Sequence, residues 1–255
     1  METVKRLRKY PKIEIVSHLI NGLPGETHEM MVENVRRCVT NNDIQGIKLH
    51  LLHLMTNTRM QRFRLPEYSV AKYWNDISSA APNTDYVIYN IPQLAGVALT
   101  PSLYTEMLKN PRVIGVKNSS MPVQDIQTFV SLGGEDHIVF NGPDEQFLGG
   151  RLMGARAGIG GTYGAMPELF LKLNQLIADK DLETARELQY AINAIIGKLT
   201  SVHGNMYGVI KEVLKINEGL TIGSVRSPLT PVTEEDRPVV EEAAALIRET
   251  KERFL

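Results

Sequence analysis

The chain has 255 residues, 43% of them hydrophobic, enough for one large α/β domain or two small ones with a real core. Lys and Arg total 28 against 29 Asp and Glu, a net charge of -1 with no long run of either sign, which argues against nucleic acid and anionic membrane surfaces as partners. No apolar stretch approaches the ~18–20 residues that span a bilayer. The charged start, Met1 to Lys9, lacks a signal-peptide core, and the single cysteine, Cys38, excludes an internal disulfide and points to a reducing, cytoplasmic compartment.

In chain order, a helix is predicted over 2–9. Short apolar runs then alternate with longer amphipathic stretches. Strands are predicted over Ile13–Ile20, Ile47–Leu52, Tyr86–Asn90, Val113–Lys117, Ile138–Asn141 and Ala157–Gly161. Helices are predicted between them, at about 27–41, 68–80, 101–109, 122–132, 144–154 and 166–178. Cys38 falls in the pattern Met30–Val39 and reads as packed core. Near-continuous apolar strands alternating with helices predict a parallel sheet with both faces covered. Thr100-Pro101 supplies an N-cap and a first-turn proline, Ser120 is a candidate cap for the helix after it, and Gly133-Gly134 ends that helix. After residue 180 only helices are predicted, at 182–199, 205–217 and 234–252, with Pro228 and Pro231 breaking the chain before the last. This reads as one domain over 1–255: βα units to about residue 180 and a C-terminal helical extension over 181–255. Six predicted strands fall short of the eight of a closed (β/α)8 barrel, and an open doubly wound sheet also fits six.

The strand ends carry the chemistry. Tyr89 lies at the end of one strand and Lys117 at the end of the next. Asn141-Gly142-Pro143-Asp144-Glu145 follows the third, and Gly158-Ile159-Gly160-Gly161-Thr162-Tyr163 closes the fourth. In a parallel barrel these ends form the active-site rim. An apolar setting disfavours the lysine ammonium, and the neutral amine attacks a ketone to form a Schiff base. This fits a class I aldolase in which Tyr89 moves protons, Asp144 and Glu145 accept hydrogen bonds from substrate hydroxyls, and glycine backbone approaches the ligand. Each feature has a plain structural reading as well: packing for the tyrosine, first-turn acids favoured by the helix dipole, a tight turn at the glycines. Their joint occurrence at strand C-termini favours the chemical one. No cofactor is expected. His18, His50 and His53 lack an acidic partner, so no metal is expected either.

From about Pro66 to Leu255 the chain resembles the dihydrodipicolinate synthase/N-acetylneuraminate lyase family of pyruvate-dependent aldolases. The resemblance rests on Tyr-Asn-Ile-Pro at 89–92, Gly-Val-Lys-Asn-Ser-Ser at 115–120, Asn-Gly-Pro-Asp-Glu at 141–145 and Gly-Ile-Gly-Gly-Thr-Tyr at 158–163. It implies a TIM-barrel-like fold, a Schiff-base Lys117 and a catalytic Tyr89. It also implies sugar-acid contacts from Gly142, Asp144 and Glu145, with Gly161 standing where some lyases have a serine. Leu94 stands where the synthases have an arginine, which tilts the reading to the lyase branch. The implied substrate is a 2-keto acid or a sialic acid, cleaved to pyruvate and N-acetylmannosamine, and the implied assembly is a homo-oligomer.

Residues 1–62 differ. Ser17–Thr27 and Gly46–His53 resemble a strand–helix–strand piece of a radical S-adenosylmethionine protein. One cysteine cannot supply that family's C-x₃-C-x₂-C cluster ligands, so radical chemistry is excluded. The aldolase family's early Gly-x-Thr-Gly-Glu turn, which holds the pyruvate carboxylate, is missing. Gly25-Glu26-Thr27 is the nearest substitute, with backbone N–H groups for an anion. The expectation is a chimera, engineered rather than natural, with its seam near Arg62–Pro66. Lyase activity is then weak or lost; the alternative is a fold-recombination scaffold with no catalytic function.

Overall fold

A computed structural model describes residues 16–21, 27–39, 46–51 and 66–255, and the chain divides into two compact units, Met1–Phe140 and Asn141–Leu255. The predicted helix over 2–9, Gly25, Glu26, His53 and Arg62–Leu65 at the seam lie outside the described residues, as do the side chains of His18, Cys38 and His50.

In the first unit, β1 (Val16–Asn21) and β2 (Gly46–Leu51) pair in parallel, with α1 (His28–Val39) between them in sequence. Their register matches His18 to Lys48 and Ile20 to His50, so the two histidines lie on neighbouring strands, two positions out of step. The Thr27 hydroxyl caps α1, accepting from the Met30 N–H at 3.2 Å. Then come α2 (Glu67–Ser79), β3 (Tyr86–Asn90), a single turn α3 (Pro92–Ala95), α4 (Pro101–Met107), β4 (Val113–Asn118), α5 (Gln124–Gly133) and β5 (Ile138–Asn141). β4 lies between β3 and β5 and runs parallel to β3.

Local chemistry explains the boundaries. Thr100 caps α4 as expected, its hydroxyl accepting from Leu103 N–H at 3.1 Å, with Pro101 in the first turn. Gly134, at φ 65, ends α5 and returns its N–H to Val130. Glu67 at the start of α2 accepts from the hydroxyls of Ser102 and Thr100, which hold its carboxyl below the usual range and tie α2 to α4. Packing follows the apolar stripes: Val35 of α1 on Ile77 of α2, and Tyr104 of α4 edge-on to Phe129 of α5 at 5.3 Å.

The second unit holds a 3-10 turn at Asp144–Gln146, α6 (Phe147–Leu152), β6 (Ala157–Gly158) and α7 (Pro167–Ala178). After these come α8 (Leu182–Thr200), α9 (Met206–Glu218), a 3-10 turn at Glu234–Asp236 and α10 (Arg237–Phe254). Leu188, Ile192, Ile195 and Leu199 of α8, at helical spacing, share one core with Leu169 and Leu173 of α7, Val213 of α9 and Ile247 of α10. Lys251 of α10 bridges Glu168 of α7 at 3.0 Å and Glu218 of α9 at 3.5 Å. Among the described residues no helix is long and apolar enough to cross a membrane.

Four features differ from the predicted pattern. α3 was not predicted; Pro92 stands at its first helical position, where proline is favoured, and Gly96 at φ 67 stops the helix after one turn. The predicted helix over 144–154 divides into the 3-10 turn and α6, and Gly154 at φ 103 lies beyond its end. β6 stops at Gly158 instead of Gly161, since a glycine-rich run has little to pack in a ladder. Ser120 does not cap α5: its hydroxyl donates to Asp125 at 2.6 Å, and the helix begins at Gln124.

Asp236, 1% exposed, accepts N–H groups from Thr233, His203 and Gly204 at 3.0, 2.8 and 3.1 Å, plus the Thr233 hydroxyl. These bonds, that of the Thr233 N–H foremost, hold its carboxyl far below the ordinary 3.8. A lowered folded-state value means stabilisation that is complete above about pH 4 and is lost as pH falls further. Asp236→Asn should therefore be less stable than the parent at about pH 7 and lose less on acidification to about pH 3; urea midpoints at the two pH values check this.

Candidate active site

The register of β3 and β4 sets Tyr89 directly opposite Lys117 and Asn90 directly opposite Asn118. Lys117 is 8% exposed, and its Nζ lies 4.0 Å from the centre of the Tyr89 ring. Phenol and amine thus meet on one face of two adjacent strands. On alternate positions, and so on the other face, the buried Asn90 donates to Asn118 Oδ1 at 2.7 Å and accepts from Leu99 N–H at 3.0 Å. Asn118 donates in turn to Ser120 at 2.8 Å. The turn after β4 is tied down by the Ser119 N–H on the Asn90 carbonyl and the Gln93 side chain on the Ser119 carbonyl. Asn90 and Asn118 were not among the expected site residues. Their signal was a polar residue at the same position of two neighbouring strand ends.

In the second unit, Asn141 donates to the Pro143 carbonyl at 2.7 Å and accepts from Ile159 N–H through its own carbonyl, which shapes the turn containing the buried Gly142. The acidic pair splits: Asp144 is buried and Glu145 exposed. Asp144 Oδ2 accepts both the N–H and the hydroxyl of Thr162, at 2.8 and 2.5 Å. Its Oδ1 lies so close to Gly160 that an added Cβ there would stand 1.5 Å away. The carboxylate therefore has an internal partner that the sequence reading did not foresee. Next to it, burial and then the Asp144 charge push the Tyr163 phenol up, keeping it neutral. Gly161 is exposed, and a Cβ there would sit 3.1 Å from the Tyr207 hydroxyl.

The first unit thus offers a buried amine facing a phenol, a pair suited to imine formation with proton transfer. The second offers a fixed carboxylate, an exposed one and open glycine backbone, a set suited to hydroxyl groups. Among the described residues no group of three His, Cys, Asp or Glu stands together to hold a metal ion.

Residues 63–247 match the Dihydrodipicolinate synthetase family. N-acetylneuraminate lyase of Mediterraneibacter gnavus is 63% identical over 193 residues, 76% of this chain and 61% of that protein, so the chain spans less than two thirds of this relative's length. Among solved structures, a catalytic lysine mutant of Ruminococcus gnavus sialic acid aldolase matches with a TM-score of 0.85 at 50% identity, covering 100% of this chain and 79% of that one. N-acetylneuraminate lyase from Fusobacterium nucleatum matches with a TM-score of 0.74 at 20% identity, covering 99% and 78%. The α/β fold of the TIM-barrel class, with its C-terminal helical extension, is as the sequence reading expected.

The two adjacent glycines should respond differently to substitution. Gly160→Ala must displace the Asp144 carboxylate and should cost about 1–3 kcal/mol. Gly161→Ala meets only the flexible ends of Tyr207 and Met206 and should stay within about 0.5 kcal/mol of the parent. Denaturant midpoints of both variants check the contrast.

Proposed function

The chain belongs to the dihydrodipicolinate synthetase family, and on that premise we propose that it is a Schiff-base lyase acting on N-acetylneuraminate. The observation that carries this is the buried Lys117 facing Tyr89, in a chain 63% identical over 193 residues to an N-acetylneuraminate lyase. A solved relative whose catalytic lysine has been mutated supports giving that role to Lys117.

In this reading the neutral Nζ attacks the keto carbon of the open-chain sugar acid. The carbinolamine loses water to give an imine. Tyr89 carries the proton at that step and takes the proton of the aldol hydroxyl as the carbon–carbon bond breaks. N-acetylmannosamine leaves as the aldehyde, with the bond's electron pair passing into the enamine. Protonation of the enamine and hydrolysis release pyruvate and restore the amine. Gly142 and Gly161 offer backbone, and Asp144 and Glu145 accept hydroxyl donors of the sugar chain. Of the pair, the exposed Glu145 is the direct contact, since Asp144 Oδ2 is already taken by Thr162.

Residues 1–62 form a separate ancestral piece in this reading. The family match begins at residue 63, beside the seam expected near Arg62–Pro66. The piece lacks the carboxylate-holding turn, and removing a preorganised donor costs orders of magnitude in rate, so turnover is slow. The Thr27 hydroxyl caps α1 by accepting the Met30 N–H, which leaves its own O–H as a donor for an anion. The protein is cytoplasmic and works as a homo-oligomer without a cofactor.

Incubation with pyruvate and borohydride should give one reduced pyruvyl adduct by intact-mass spectrometry, absent in Lys117→Ala. Tyr89→Phe should keep the adduct and lower kcat for N-acetylneuraminate about 10²–10⁴-fold. A folded sample that forms no adduct would overturn the reading.

A further inference from the structure

α8 carries a polar interruption in its apolar stripe. Ala185, Leu188, Ile192, Ile195 and Leu199 point into the core of the second unit, and Gln189, at the same face, is 5% exposed. A buried primary amide is costly unless it is hydrogen-bonded, and this one is bonded at both ends. Its Oε1 accepts the Leu148 N–H at 2.8 Å. Its Nε2 donates to the Asp144 carbonyl at 3.2 Å and to Asn193 Oδ1 at 2.8 Å. One helical turn on, Asn193 Nδ2 donates to the Glu145 carbonyl at 3.2 Å.

The two amides therefore grip three backbone groups of one short segment: the carbonyls of Asp144 and Glu145, and the Leu148 N–H in the first turn of α6. We propose that Gln189 and Asn193 are positioning residues for the acidic pair, setting how Asp144 and Glu145 are presented to the hydroxyl groups of the sugar acid; this rests on the role given to that pair above. Three features favour positioning over filling. Leucine would suit the stripe better on packing alone. Glutamate would keep the acceptor for Leu148 but lose the donor for Asp144. The grip acts on the backbone of the pair, while Thr162 separately orients the Asp144 carboxylate through Oδ2, so backbone and side chain are fixed by different elements. Lys117 and Tyr89 take no part in these bonds, so the clamp governs recognition of the sugar chain and leaves imine formation alone.

The test uses Asn193→Ala and Gln189→Met. For both, KM and kcat for N-acetylneuraminate, borohydride trapping of pyruvate, and hydrogen exchange of the 144–148 segment are compared with the parent. The expected result is a KM raised about tenfold, the factor that one lost hydrogen bond of ordinary strength represents. kcat should stay within about twofold, pyruvate trapping should not change, and exchange should quicken at 144–148 but not in α9 or α10. Faster exchange with an unchanged KM would show a merely structural clamp and overturn the proposal, as would trapping that falls in step with KM. If Gln189→Met does not fold, Asn193→Ala carries the test, because Asn193 is only partly buried. A parent that neither traps pyruvate nor cleaves the sugar acid sinks the lyase function and the clamp's role with it. A parent that does both, with variants that keep its KM, sinks the clamp alone.

Discussion

The side-chain bond between Asn90 and Asn118 is the constraint on which the reactive half of the first unit depends. A lysine at 8% exposure is held out of water, and a flexible four-carbon stem left to itself would turn toward solvent. Nζ lies over the Tyr89 ring where the two strand ends stand in register, and on the opposite face a polar bond ties the same ends together. Side chains alternate along a strand, so the two asparagines occupy the face opposite the phenol and amine. Their bond, with those to Leu99 and Ser120, satisfies groups whose burial would otherwise count against the fold. One face thus carries the polar lock while the other carries the phenol and the amine.

The second unit uses buried acceptors in the same way, with carboxylates as the means. Asp236 gathers three backbone N–H groups and a hydroxyl at the start of α10, closing the loop from α8 onto that helix. Asp144 takes Thr162 through a single oxygen and packs its other oxygen on Gly160. Charge-assisted bonds of this kind are stronger than neutral ones and tolerate little displacement. The Asp144 turn is therefore held by its own internal bonds.

Some of this was legible in the sequence, for reasons that are local. Apolar runs of four to six residues located β3, β4 and β5, Thr100-Pro101 located α4, and Gly133-Gly134 located the end of α5, because each signal lies within a few residues of its effect. Tyr89 and Lys117 were legible as strand ends, and parallel pairing then set them opposite one another. The misses have the contrary character. Asn90 finds Asn118 across 28 residues and Gln189 finds Asp144 across 45, so no periodicity marks either. Read along the chain, a buried glutamine is an exposed one misplaced on its helix. The segment holding the 3-10 turn and α6 is bonded by Gln189 and Asn193, which come a helix and more later in the chain. α3 escaped because proline's effect reverses between a helix interior and its first turn.

For the lyase function proposed above, the positions that would select a substrate differ in charge more than in shape. A substrate with a second carboxylate needs a donor beyond those that serve the first. Leu94 on α3, 54% exposed, has no donor to give. Glu145, exposed, offers carboxylate oxygens that accept from hydroxyls and no donor for a second carboxylate. Gly161 widens the same bias: with no side chain, it leaves a strip of backbone that a polyol can approach from several angles, with the Tyr207 hydroxyl at its edge. An uncharged, hydroxyl-rich group is therefore the chemistry that Glu145 and Gly161 favour. In the lyase reading proposed above, arginine at 94 would supply the donor that leucine lacks, at a position separate from Lys117 and Tyr89.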